Sequence, residues 1–174
     1  MMNFDLSIFR ALNGLSGQSA FSDKFWIFVT DYLPYILIVG AFVALLLWRK
    51  DLREKIKIAL VIAVTGGFSY LLVMQFFNKL WPRLRPFETL QNVVQLVPES
   101  GFSFPSKHAM LTFLLATYVY GFNKRLGIWL YVFAALVAIS RVFVGVHYPS
   151  DILGGAVLGA ILGFLAYKIY KKFS

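Results

Sequence analysis

The chain has 174 residues, 59% hydrophobic and 14% charged, with a mean hydropathy of +0.71 and a formal net charge of +9. That balance lies outside soluble globular domains and excludes a soluble nucleic-acid binder, whose basic surface would have to sit on a polar fold. The absence of cysteine excludes disulfides, thiolate metal sites and cysteine nucleophiles.

The length suits a single domain over residues 1–174. The first twenty residues lack the charged start and clean apolar stretch of a secretory signal. Residues 3–32 mix Leu, Phe and Trp with Asn13, Gly14, Ser16, Asp23 and Lys24 at no spacing suited to a full crossing. They predict two short amphipathic helices on the interface, segment 1–32, with a first spanning hairpin as the alternative. A spanning helix takes about 20 apolar residues. Five segments come close: Leu33 to Trp48, Ile56 to Phe77, the stretch from Ser106 to Phe122, Leu126 to Val144, and Ile152 to Tyr170. The predicted fold is all-α, a polytopic transmembrane helical bundle of about five spans over 33–174, or six in the alternative. One long connection, Lys79 to Pro105, interrupts otherwise short ones.

Charge gives this bundle a direction. Arg49, Lys50, Arg53, Lys55 and Lys57 lie between the first two spans, Lys124 and Arg125 between the third and fourth, and Lys168, Lys171 and Lys172 near the C-terminus. All share one side, which the excess of cations makes cytoplasmic. Lys79, Arg83, Arg85, Lys107 and Arg141 fall at the opposite face, where charge has no topogenic purpose and calls for a functional reason.

Three separated stretches meet at that face: Asn78 to Pro86, Phe104 to His108, and Ser140 to Asp151. They contain both histidines of the chain, and Asp151 is the one acidic residue that opens a predicted span. Cationic side chains with two imidazoles and a carboxylate suit phosphoryl chemistry. The cations neutralise a phosphate, one imidazole attacks, and the other protonates the leaving oxygen. Asp151, four residues after His147, is placed to accept from one ring nitrogen, fix the tautomer and favour the helix N-terminus. Ser106 is a candidate cap that leaves free amides near His108. Gly155, Gly159 and Gly163 form a small-residue stripe that reads as packing.

These residues resemble the signature motifs of the type 2 phosphatidic acid phosphatase superfamily, which is also similar to vanadium haloperoxidases: Lys-x6-Arg-Pro, Pro-Ser-Gly-His and Ser-Arg-x5-His-x3-Asp. The third is matched in full by Ser140, Arg141, His147 and Asp151. In the first, Asn78 occupies the lysine position and Lys79 follows it; in the second, Lys107 replaces glycine. The resemblance covers roughly residues 56 to 170. It implies a lipid phosphatase with His147 as nucleophile, His108 as general acid and Asp151 as the orienting carboxylate. Lys79, Arg85, Ser106, Lys107 and Arg141 then bind phosphate, with no metal and no cofactor. The implied partners are the bilayer and a lipid phosphate or diphosphate. Undecaprenyl diphosphate is the first candidate, and phosphatidylglycerophosphate or phosphatidate the alternative. The implied location is the plasma membrane, with the site on the non-cytoplasmic face. A carrier or flippase that binds lipid phosphate without cleaving it is the rival class, and it gives no reason for His147 and Asp151 together.

Overall fold

A computed structural model describes residues 3–48 and 51–173. Arg49 and Lys50, of the cations between the first two predicted spans, lie outside the described residues. Among those described, the secondary structure is entirely helical: α1 Asn3–Asn13, α2 Ala20–Asp31, α3 Leu33–Trp48, α4 Leu52–Phe68, a π-helical turn Ser69–Val73, α5 Met74–Leu80, α6 Pro86–Thr89, α7 Lys107–Phe122, α8 Lys124–Phe143 and α9 Pro149–Lys172. Local chemistry sets the boundaries. Asp51 accepts from the Arg53 amide and Asn123 from the Leu126 amide, satisfying first-turn donors of α4 and α8. Pro149 opens α9, where its missing N–H costs nothing.

The helix α7 is the centre of the bundle, packed between α8 and α9. Leu115, Ala116, Tyr118 and Val119 of α7 are buried with Leu130 and Val137 of α8 and Ala166 and Tyr170 of α9. The glycine stripe explains how closely α9 approaches. A methyl group on Gly155, Gly159 or Gly163 would stand 2.5, 2.2 and 2.3 Å from the carbonyl oxygens of Ser106, Met110 and Leu114. Only a residue without a side chain permits that contact.

Among the described residues, three helical stretches are long and apolar enough to cross a membrane: the continuous Leu52–Leu80 path, Lys124–Phe143 and Pro149–Lys172. The pair Ala20–Asp31 and Leu33–Ala44, bent by 44°, makes a fourth if it is one span. The expectation of five spans is therefore met only in part. The helix α3 passes the test together with α2, and α7, at 16 residues, is short of a full crossing. Outward-facing Leu60, Val64, Val132, Val157 and Ile161 are exposed, as lipid-facing surface requires. The N-terminal helices do not lie apart from the bundle. Trp26 of α2 stacks on Phe143 at 5.1 Å. Asn13, at the end of α1, exchanges hydrogen bonds with the Val94 backbone and donates to the Phe143 carbonyl.

Candidate active site

The buried polar side chains concentrate at one end of the bundle, where α7 and α9 begin and α8 ends. Arg85, Ser103, Ser106, Arg141, His147 and Asp151 are all 3% exposed or less. So many polar groups withdrawn from water cost free energy unless each finds a partner or serves a ligand.

His147 sits in the turn between α8 and α9. Gly145 makes that turn possible, with φ at +83° and a Cβ position only 2.5 Å from the Val94 carbonyl oxygen. The imidazole is held from both sides. Its Nε2 lies 3.3 Å from Nη1 of Arg85, and a guanidinium can only donate. Nε2 therefore carries the lone pair and Nδ1 the hydrogen, which is the tautomer a nucleophile needs. Burial pushes the His147 ring down to about 4, and the nearby Arg141 and Arg85 cations push the same way against Asp151, so the ring is neutral at pH 7.

The carboxylate of Asp151 departs from the expected arrangement. Its Oδ2 is 3.8 Å from Nδ1 of His147, beyond a hydrogen bond. Ser103 stands between them, donating to Oδ2 at 2.5 Å with its hydroxyl 3.4 Å from Nδ1. Asp151 also accepts from the Tyr148 amide at 2.8 Å, capping α9, and from Arg83 at 2.7 Å. Arg83 in turn pairs with Asp5 of α1 at 2.6 Å and lies 4.0 Å from the centre of the Tyr148 ring. Arg83 thus supports the carboxylate behind the histidine.

Around this core lies a cation cluster. Arg141 donates to Thr30 at 2.8 Å and to Glu99. Lys107 donates to the same Glu99 at 3.1 Å, and Arg85 is 3.8 Å from it. Burial raises the Glu99 carboxyl, but Arg141, Lys107 and Arg85 override it and hold it down at about 2. Arg85 is further tied to the carbonyls of Ser100, Gly101 and Val146, and burial lowers its pKa. His108 opens α7 beside these groups; burial, with the Arg141 and Lys107 cations acting the same way against Glu99, pushes its ring down to about 3. Ser106 occupies the N-cap position, but its hydroxyl makes no capping bond. Ser106 Oγ, His108 Nδ1 and Arg141 Nε are buried without a hydrogen-bond partner among the described residues.

Lys79 is exposed and is not among the residues lining the cavity of about 240 Å³ that Asn78 lines with Tyr70, Arg85, Ser100 and Lys107. The helix advances about 100° per residue, so facing the site with Asn78 turns Lys79 outward. Among the described residues no group of three or more His, Asp or Glu side chains is gathered to hold a metal ion. Sequence reasoning missed Ser103, Asp5 and Thr30 as parts of the cluster and assigned Glu99 no role. None of the four belongs to a spaced motif that marks it.

The sequence matches the PAP2 superfamily over residues 54–174. This chain belongs to that superfamily. It is 31% identical over 172 residues to undecaprenyl-diphosphatase BcrC of Bacillus subtilis, covering 96% of this chain and 83% of that one. A lipid A 4'-phosphatase of Bacteroides thetaiotaomicron is 30% identical over 185 residues, covering 99% and 79%. The crystal structure of a transmembrane PAP2-type phosphatidylglycerolphosphate phosphatase from Bacillus subtilis superposes with a TM-score of 0.72 at 27% identity, covering 98% of this chain and 86% of that one. The PAP2 match starts within α4 and spans all three stretches of the cluster; α1 to α3, which supply Asp5 and Thr30, precede it.

Proposed function

We propose that this PAP2 protein hydrolyses a membrane lipid phosphate or diphosphate through a phosphohistidine on His147. The observation that carries this reading is a fully buried, neutral imidazole whose Nε2 lone pair is turned toward an arginine while Nδ1 faces a serine-linked carboxylate. A structural histidine has no need of that arrangement.

In the first step Nε2 of His147 attacks phosphorus and the bond to the leaving oxygen breaks; that oxygen takes a proton from His108. The His108 ring is neutral without substrate and gains that proton when the phosphate anion binds beside it and offsets the Arg141 and Lys107 cations. As the N–P bond forms, positive charge grows on the ring and Asp151 stabilises it through Ser103. Arg85, Arg141, Lys107 and Ser106 take the phosphoryl oxygens; Ser106 Oγ and Arg141 Nε are buried donors with no partner among the described residues. Water, deprotonated by His108, then cleaves the N–P bond and releases phosphate. Lys79 drops out of the phosphate-binding set because Asn78, and not Lys79, lines the cavity beside Arg85 and Lys107. The cationic side chains supply the charge neutralisation that other phosphotransferases take from magnesium, so no metal is needed.

Undecaprenyl diphosphate is the favoured substrate, supported by the BcrC similarity along nearly the whole chain. Phosphatidylglycerophosphate is second, supported by the structural relative. The site is assigned to the non-cytoplasmic face of the plasma membrane, because Lys124, Arg125, Lys168, Lys171 and Lys172 gather at the other end of α8 and α9. The test is phosphate release from both lipids in detergent, with and without a chelator. Release from undecaprenyl diphosphate is expected to survive chelation and to vanish in His147→Ala with substrate binding retained. Full turnover by that variant would contradict the mechanism, and binding without turnover by the unaltered chain would favour a carrier.

A further inference from the structure

The His147 ring is 1% exposed, and what covers the cation cluster is the segment Glu99 to Gly101. Its Glu99 carboxylate is bound by Arg141, Lys107 and Arg85. Its Ser100 and Gly101 carbonyls accept from Arg85 at 3.0 and 2.8 Å. The cations that a phosphate requires are thus already occupied by an anion and two carbonyl dipoles from one segment. Gly101, at φ +75°, gives that segment a joint that other residues rarely adopt.

We propose that Glu99 is a specificity-determining residue, an internal competitor that admits terminal phosphate groups and refuses phosphodiesters. This rests on the phosphatase reading above. The physical reason is charge. A tethered carboxylate competes at an effective concentration in the mM range. A phosphodiester carries one negative charge, the same as Glu99, so exchanging one for the other gains nothing from the three cations. A terminal phosphate carries roughly −1.5 to −2 near pH 7, and a diphosphate more, so the exchange is favourable in proportion to the added charge. The selection matters because a bilayer presents phosphodiester headgroups at far higher density than any terminal phosphate, and an open cation cluster would be filled by them. Once displaced, Glu99 takes Ser100 and Gly101 with it, which frees Arg85 and uncovers Nε2 of His147.

Glu99→Gln keeps the shape and removes the charge. Turnover of undecaprenyl diphosphate is measured in neutral detergent micelles with phosphatidylglycerol as the diester competitor and diacylglycerol, which carries no phosphate, as the dilution control. In the unaltered chain phosphatidylglycerol inhibits no more than diacylglycerol; in Glu99→Gln it becomes a competitive inhibitor, its inhibition constant falling about tenfold or more. An unchanged response to phosphatidylglycerol overturns the role of Glu99. Absent turnover by the unaltered chain overturns instead the phosphatase reading. A second measurement, on the unaltered chain alone, covers a variant that fails to fold. Inorganic phosphate at pH 8 speeds hydrogen exchange of the Ser100, Gly101 and Phe102 amides, and dimethyl phosphate at equal ionic strength does not. Equal effects of the two anions, or none from phosphate, also overturn the proposal.

Discussion

Ser103 connects two groups whose separation, 3.8 Å between His147 Nδ1 and Asp151 Oδ2, is too long for direct proton sharing. Its hydroxyl lies in hydrogen-bond range of the carboxylate at 2.5 Å. Ser103→Ala therefore leaves the carboxylate in place, still held by Arg83 and the Tyr148 amide, and removes its hold on the ring. A lost hydrogen bond to a charged group is worth about 1.5–3 kcal/mol, so kcat is expected to fall by roughly 10- to 100-fold with little change in KM. A variant with unaltered kcat would show that Asp151 acts on the ring directly. The buried His147 also sets a pH dependence. Its pKa is near 4 in the folded chain against 6.5 ordinarily, so on acidification the unfolded chain takes up a proton first. Stability is intact above about 6.5 and declines as pH falls through that window toward 4. Glu99, held at about 2, adds a loss in the same direction below about 4.5. Thermal unfolding in detergent from pH 7 to 4 is expected to show a shallower decline for His147→Asn than for the unaltered chain. At this scale the sequence was most informative where residues are close along the chain. Ser140, Arg141, His147 and Asp151 carry their relationship in their spacing. Ser103 and Asp151 are 48 positions apart, Arg83 and Asp5 are 78, and Arg141 and Glu99 are 42. Those partnerships exist only after the helices pack, and no local pattern encodes them.

Among the elements, α7 and α9 carry the geometry of the site, because α9 positions Asp151 and α7 positions Ser106 and His108. Their separation is set by Gly155, Gly159 and Gly163 against three successive carbonyls of α7. Gly159→Ala puts a methyl group 2.2 Å from the Met110 carbonyl oxygen and must push the helices apart. A cost of about 1–3 kcal/mol in stability is expected from overpacking of this kind, read as a lower Tm with reduced turnover. Gly67→Ala, with nothing within 4 Å of the new carbon, is the control and leaves Tm unchanged or higher. The glycine spacing was legible as close packing, although not which helix it met. The π turn at Ser69–Val73 and the 44° bend between α2 and α3 were not legible, since neither changes the apolar run that marks a crossing. Asn78 and Lys79 illustrate the limit of motif reading at a helix end. One position of register decides which of two polar neighbours meets the cavity, and the phase of α5 is fixed by packing.

For the whole molecule, the arrangement separates two sets of cations. Arg83, Arg85, Lys107 and Arg141 are spent on carboxylates and carbonyls at the site, while the sets around Lys124 and Lys171 lie at the opposite end of α8 and α9. The chain has no cysteine, so single replacements report orientation cleanly. Trp81→Cys at the site end is expected to react with a membrane-impermeant maleimide in intact cells, and Lys124→Cys only after permeabilisation. The reverse pattern would put the site on the cytoplasmic face. The central claim, covalent catalysis by His147, is tested most directly by acid-free rapid quenching during turnover of lipid carrying 32P in its terminal phosphate, followed by peptide mapping. The account predicts label on His147 at Nε2, absent in His147→Ala and, once formed, decaying more slowly in His108→Ala, where release is slowed. Label confined to another residue, or multiple turnovers with no covalent label on the chain and undiminished activity in His147→Ala, would contradict it.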